Sequence, residues 1–130
     1  MKYELMFSAK DGSRFSLLYY AFIAGGNNSR DDKTIETLRR EIALMDLLWS
    51  VSMLPSGVEP NQGMREMQPG AQSVTVDQPQ YALLKKYINA FVAKAATGAA
   101  REVVALVDWF DTIQPTDAPK AKSAKRSKAA

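Results

Sequence analysis

The sequence predicts a mainly helical α+β domain of about four helices, with a central β-hairpin and a disordered basic C-terminal tail. Three observations predict it. Apolar residues recur at helical spacing in four separate stretches. Residues 73–88, SVTVDQPQYALLKKYI, switch from the polar and β-branched alternation of a strand to the apolar spacing of a helix, with Asp77 and Pro79 at the joint. The last sixteen residues, PTDAPKAKSAKRSKAA, contain no large apolar side chain. At 130 residues the chain fits one domain, read as a compact body over 1–114 and a tail over 115–130.

In chain order, KYELMF places Tyr3, Leu5 and Phe7 on one side of a short strand. Asp11-Gly12 has the composition of a hairpin turn. As a strand, residues 14–24 would therefore pair back onto 2–7. As a helix, Phe15, Leu18, Tyr19 and Phe22 fall at i, i+3, i+4 and i+7, with Ser13 to cap it and Gly25-Gly26 to stop it. The complete spacing favours the helix.

Asp31 and Asp32 open the next helix, where acidic side chains suit the dipole. Ile35, Leu38, Ile42, Met45 and Trp49 form its buried stripe, widened by Leu44, Leu48 and Val51. Glu36, Arg39, Arg40 and Asp46 are left for water. Pro55 ends the element.

Residues 64–68 and 72–76 read as the two strands of a hairpin about a Pro69-Gly70 turn. Asp77 and Gln80 then make a capping box, with Pro79 in the first turn. The helix that follows buries Tyr81, Leu84, Ile88, Phe91 and Val92, flanked by Leu83 and Tyr87. A last helix, capped by Thr97 or a neighbour, turns Val103, Leu106, Val107, Phe110 and Ile113 inward before Pro115 stops it.

Composition narrows the chemistry. The chain has no cysteine and no histidine, which removes disulfides, thiolate metal sites and every serine–histidine, cysteine–histidine or zinc-type mechanism. A non-enzymatic protein without a cofactor is the expectation. No apolar run of about 18 residues suggests a membrane span, and the start lacks a signal-peptide pattern, so the cytoplasm is the expected location.

Among carboxylates, Asp108 and Asp111 lie three apart on one helix, with Glu102 one to two turns earlier. The amphipathic pattern assigns them to a solvated face rather than to a cation. Gly25-Gly26-Asn27-Asn28 lacks the lysine and hydroxyl of a phosphate-binding loop. Most aromatics belong to the core by their spacing. Tyr20 falls off its helix stripe, and Trp49 and Trp109 sit at stripe edges, so these three are the candidate partner patch.

Charge separates the two regions. Residues 115–130 carry Lys120, Lys122, Lys125, Arg126 and Lys128 against Asp117, a net of +4, while the remainder holds 12 basic and 13 acidic residues. The tail is thus the candidate nucleic-acid contact, through nonspecific binding of the phosphate backbone of DNA or RNA, with a purely solubilising end as the other reading of the same charge. Lys85, Lys86, Arg39 and Arg40 read as exposed helix residues. A winged-helix regulator, with the helix of residues 77–95 in a groove and the hairpin as wing, is the alternative; it needs exposed cations on that helix, and Lys85, Lys86 and Lys94 are few.

The succession of FSLLYYAFIAGG, IETLRREIALMDLL, SVTVDQPQYALLKKYI and AAREVVALVDWFD resembles small accessory proteins of tailed bacteriophages and prophages. The resemblance covers about residues 1–113 and implies a phage-borne, non-enzymatic protein with no catalytic residues to carry over. The basic tail departs from that pattern. Together these readings predict a body that docks on a protein partner or self-associates, and a tail that touches nucleic acid.

Overall fold

The computed structural model describes residues 1–28, 33–54 and 64–116. Within them the predicted class holds: four α-helices and short antiparallel strands. β1 (Lys2–Phe7) runs antiparallel to β4 (Gln72–Asp77), from Lys2 opposite Asp77 to Phe7 opposite Gln72. The alternation of both strands turns Tyr3, Leu5, Phe7, Val74 and Val76 to one side, where all five are buried. That shared apolar face selects the pairing.

The expected hairpin is therefore not formed. β3 is only Glu66–Met67, and it pairs with β2 (Ser52–Met53) instead of β4. The Pro69-Gly70 turn remains, with Gly70 at φ +90°, but it joins two different sheets. A second correction concerns the domain boundary. Pro115–Thr116 forms β5 on the other side of β1, opposite Tyr3 and Lys2, so the body extends two residues beyond 114.

Helices cover the inner face of the sheet. α1 (Gly12–Asn28) is the central one and buries Phe15, Leu18, Tyr19, Ala21 and Phe22. Its first helical bond runs from the Phe15 N–H to the Asp11 carbonyl, which places Ser13 inside the first turn and not at the cap. The Asp11 carboxylate accepts the Ser8 N–H at 2.8 Å, and this bond holds its carboxyl below the usual carboxylate range. Gly25 and Gly26 do not end the helix. Both are buried within it, against α3 (Gln78–Val92).

α3 starts as the sequence predicts. The Asp77 carboxylate accepts the Gln80 N–H at 2.8 Å, and the Gln80 side chain accepts the Asp77 N–H at 2.9 Å. Leu84, Tyr87, Ile88 and Phe91 are its buried face, while Val92 is exposed. A 3-10 turn (Thr97–Ala99) leads into α4 (Ala100–Asp111), without a side-chain cap from Thr97. α4 buries Val103, Leu106 and Phe110. Tyr81 is sandwiched between the Tyr3 and Phe110 rings, nearly parallel to both, at 3.9 and 4.5 Å between centroids. Its hydroxyl donates to the Phe110 carbonyl. One aromatic stack thus joins β1, α3 and α4.

α2 (Ile35–Trp49) is capped by Thr34, whose Oγ1 accepts the Thr37 N–H at 3.1 Å. The caps expected at Asp31 and Asp32 lie outside the described residues, but the helix does not run on to Pro55: it ends at Trp49 with Ser50 as its cap, and Ser52–Met53 is already strand.

Candidate docking surface

The largest departure from expectation is the orientation of α2. Its buried side chains are Leu44 and Leu48. The stripe expected in the core is turned outward: Ile35 is 63% exposed, Ile42 53%, Leu38 41% and Trp49 41%, with Met45 half-buried. One residue step rotates a helix by about 100°, which is the turn that separates Leu44 and Leu48 from Met45 and Trp49. Both faces are apolar, and only one can meet the core.

A polar contact holds the inward choice. Glu41 accepts a hydrogen bond from the Tyr87 hydroxyl of α3 and pairs with Lys33 at 2.6 Å. Lys33 lies 5.5 Å from the Tyr87 ring centroid. Burial first, and then the Glu41 contact, push the Tyr87 phenol well above its ordinary range. A cavity of about 180 Å³ lies beside this group, lined by Phe22, Gly26 and Met45.

The C-terminal end of α2 is fastened as well. The Trp49 indole N–H donates to the Tyr19 hydroxyl at 2.9 Å, and the Arg65 guanidinium lies 4.8 Å from the indole centroid. Arg65 also donates to the Ser52 hydroxyl at 2.7 Å, while the Ser16 hydroxyl donates to the Arg65 carbonyl. Ser52 is buried with its hydroxyl satisfied. The exposed stripe is therefore held on a helix fixed at its middle and at its C-terminal end.

The other two aromatics of the expected patch lie elsewhere. Tyr20 is 47% exposed and rests edge-on against Phe91, at 5.7 Å between centroids. Trp109 is half-buried against Phe7 at 5.1 Å, with Arg14 over its ring at 5.3 Å. Among the described residues no ring contact joins Tyr20, Trp49 and Trp109 to one another. Of the three, Trp49 shares a surface with further exposed apolar residues on its own helix.

The acidic residues do not converge. Asp111 faces Lys85 across α3 and α4 at 3.9 Å, Asp108 is exposed, and Glu102 lines an apolar groove with Arg14, Leu17 and Leu106. That groove, between α1 and α4, holds about 330 Å³. Among the described residues no group of three acidic side chains is placed to hold a metal ion, and no helix is long and apolar enough to cross a membrane. Lys120, Lys122, Lys125, Arg126 and Lys128 lie outside the described residues. The chain reaches them from β5, where the Thr116 hydroxyl donates to the Lys2 carbonyl.

No family model, curated protein or solved structure matches this chain. Its surface chemistry therefore has to carry the functional reading. The outward face of α2 was hidden in the sequence by its own apolarity, which reads as core. The one available signal was Glu41, an acid placed among Leu44, Leu48 and Met45 at the helical spacing of a buried contact.

Proposed function

We propose that this chain is a non-enzymatic interaction module of phage or prophage origin, acting in the host cytoplasm. Its body docks on another protein chain through the exposed face of α2. Its basic tail holds the assembly near a polyanion such as DNA or RNA. The observation that carries the reading is the outward exposure of Ile35, Leu38, Ile42 and Trp49 on a helix whose inner face is already filled. Exposed apolar residues that share one helix face, rather than scatter singly, point to a contact surface.

The groove-reading alternative has less support. β4 pairs with β1, which leaves no hairpin wing beside α3. Lys85 faces Asp111, so one of the few cations on that helix is already partnered.

Photo-crosslinking in cells tests the docking reading. A photoreactive residue at position 42 is expected to give a discrete protein adduct, and the same residue at exposed Glu4 is expected to give none. Absence of any adduct from position 42, with this chain or another, would remove the reading.

A further inference from the structure

Resting on the docking reading of α2, we infer that the occupant of that face is a second copy of this chain. The two α2 helices pack antiparallel about a two-fold axis. Ile35, Leu38, Ile42, Met45 and Trp49 are spaced by three, four, three and four residues, the seam pattern of a two-helix coiled coil. One flank of that seam is closed, because Glu41 and Leu48 turn into their own body.

Residues 29–32, 55–63 and 117–130, which the structure does not describe, contain a single large apolar side chain, Val58. Five apolar residues need a better-matched cover than that.

Charge identifies the cover and sets its register. Arg39 and Asp46 follow Leu38 and Met45 by one residue, so both stand on the flank away from Glu41, where Arg39 also borders a shallow cleft with Asp77 and Gln80. Both are exposed, and neither has an ion-pair partner among the described residues. An antiparallel pair that sets Ile42 on Met45 of the second copy, and Leu38 on its Trp49, brings Arg39 beside Asp46 of that copy. Symmetry makes this contact twice. Sliding the pair by one heptad places either Arg39 beside Arg39 or Asp46 beside Asp46. A parallel pair places Glu41 beside Asp46. Opposite charges meet twice in only one of these arrangements, and flanking charges of this kind choose orientation and partner.

The seam is also chemically ready to be buried. Trp49 has already satisfied its indole N–H with Tyr19, so its ring can enter a dry contact without stranding a donor.

Sedimentation velocity of the full chain, at concentrations up to about 100 µM (about −5.5 kcal/mol of association free energy), is the test. A concentration-dependent dimer is expected. Arg39→Asp and Asp46→Arg should each weaken it about tenfold or more at low salt, and the double charge swap should restore it. Equal urea midpoints of the dilute variants would show that folding is untouched. A monomer at every concentration would overturn the inference, as would a double swap no tighter than the single variants. Adducts from position 42 with a different protein alone would also overturn self-pairing, while leaving the docking reading in place.

Discussion

Gly25 of α1 lies directly against the Tyr87 backbone of α3: a Cβ at this position would sit 1.9 Å from the Tyr87 carbonyl oxygen and 2.5 Å from its carbon. Only hydrogen fits there. The pair sets the separation of the two helices, and Gly26 extends the contact, with room for a Cβ only 3.1 Å from the Tyr87 ring. The Tyr87 side chain continues past this point to Glu41 of α2. The glycine contact thus lies next to the bond that orients the proposed docking helix.

Gly25→Ala should destabilise the protein in spite of the better helix propensity of alanine. Propensity favours alanine by about 1 kcal/mol, whereas forcing a backbone atom aside costs about 3 kcal/mol or more. A net loss of about 2 kcal/mol is expected in urea unfolding. Gly12→Ala, where nothing lies within 4 Å, is the control and should not lower stability. An unchanged midpoint for Gly25→Ala would mean that the two helices are not in contact there.

Tyr87 should make the fold sensitive to alkali. Its phenol is raised in the folded chain by burial and by Glu41, so folding favours the protonated form. The stabilisation is complete below the unfolded phenol value of about 10 and is lost as pH rises above it. Urea midpoints measured upward from about pH 9 should fall, and Tyr87→Phe should fall less steeply. Equal slopes for the two proteins would sink this assignment.

The strand-to-helix joint at Asp77 can be tested separately. Asp77→Ala removes the acceptor for the Gln80 N–H and should cost about 1 kcal/mol, the usual worth of an N-cap. Gln80→Ala should cost less, because the N–H it satisfies lies on the partly exposed Asp77. Urea unfolding of both variants orders the two effects.

β5 separates the two residues that pair with β1 from the proposed polyanion contact that follows them. Ending the chain at 116 should leave the urea midpoint unchanged and remove salt-sensitive DNA binding. Ending it at 114 should also lower the midpoint, because the pairing of Pro115 and Thr116 with β1 is lost. If all five tail cations engage phosphate, affinity of the full chain falls roughly 10²–10³-fold between 50 and 200 mM salt. DNA binding retained by the 1–116 chain would exclude the tail as its source.

How much of this was legible in the sequence depended on whether one face or two were apolar. β1, β4, α3 and α4 each carry a single apolar face, so periodicity located each element and most of its buried side, whereas residues 14–24 of α1 are apolar almost all round and left strand and helix both open. The Asp77–Gln80 box is a local device and was equally readable. The partner of β4 was not, because adjacency favours β3 while the shared burial of Leu5 and Val74 favours β1. Gly25 has the composition of a stop, and its true role depends on a backbone sixty-two residues away. α2 has two apolar faces, and periodicity cannot choose between them. Its inward side was decided by Tyr87, which no local pattern links to Glu41.

The central claim is that the seam of α2 belongs to another chain and not to this core. Urea unfolding of Leu38→Asp/Ile42→Asp, at a concentration low enough to keep the chain monomeric, tests it most directly. A cooperative transition within about 1.5 kcal/mol of the wild-type monomer is expected, the cost of lower helix propensity and of like charges at i, i+4 along 38, 42 and 46. A loss of several kcal/mol, or no cooperative transition at all, would place these side chains in the core and contradict the account.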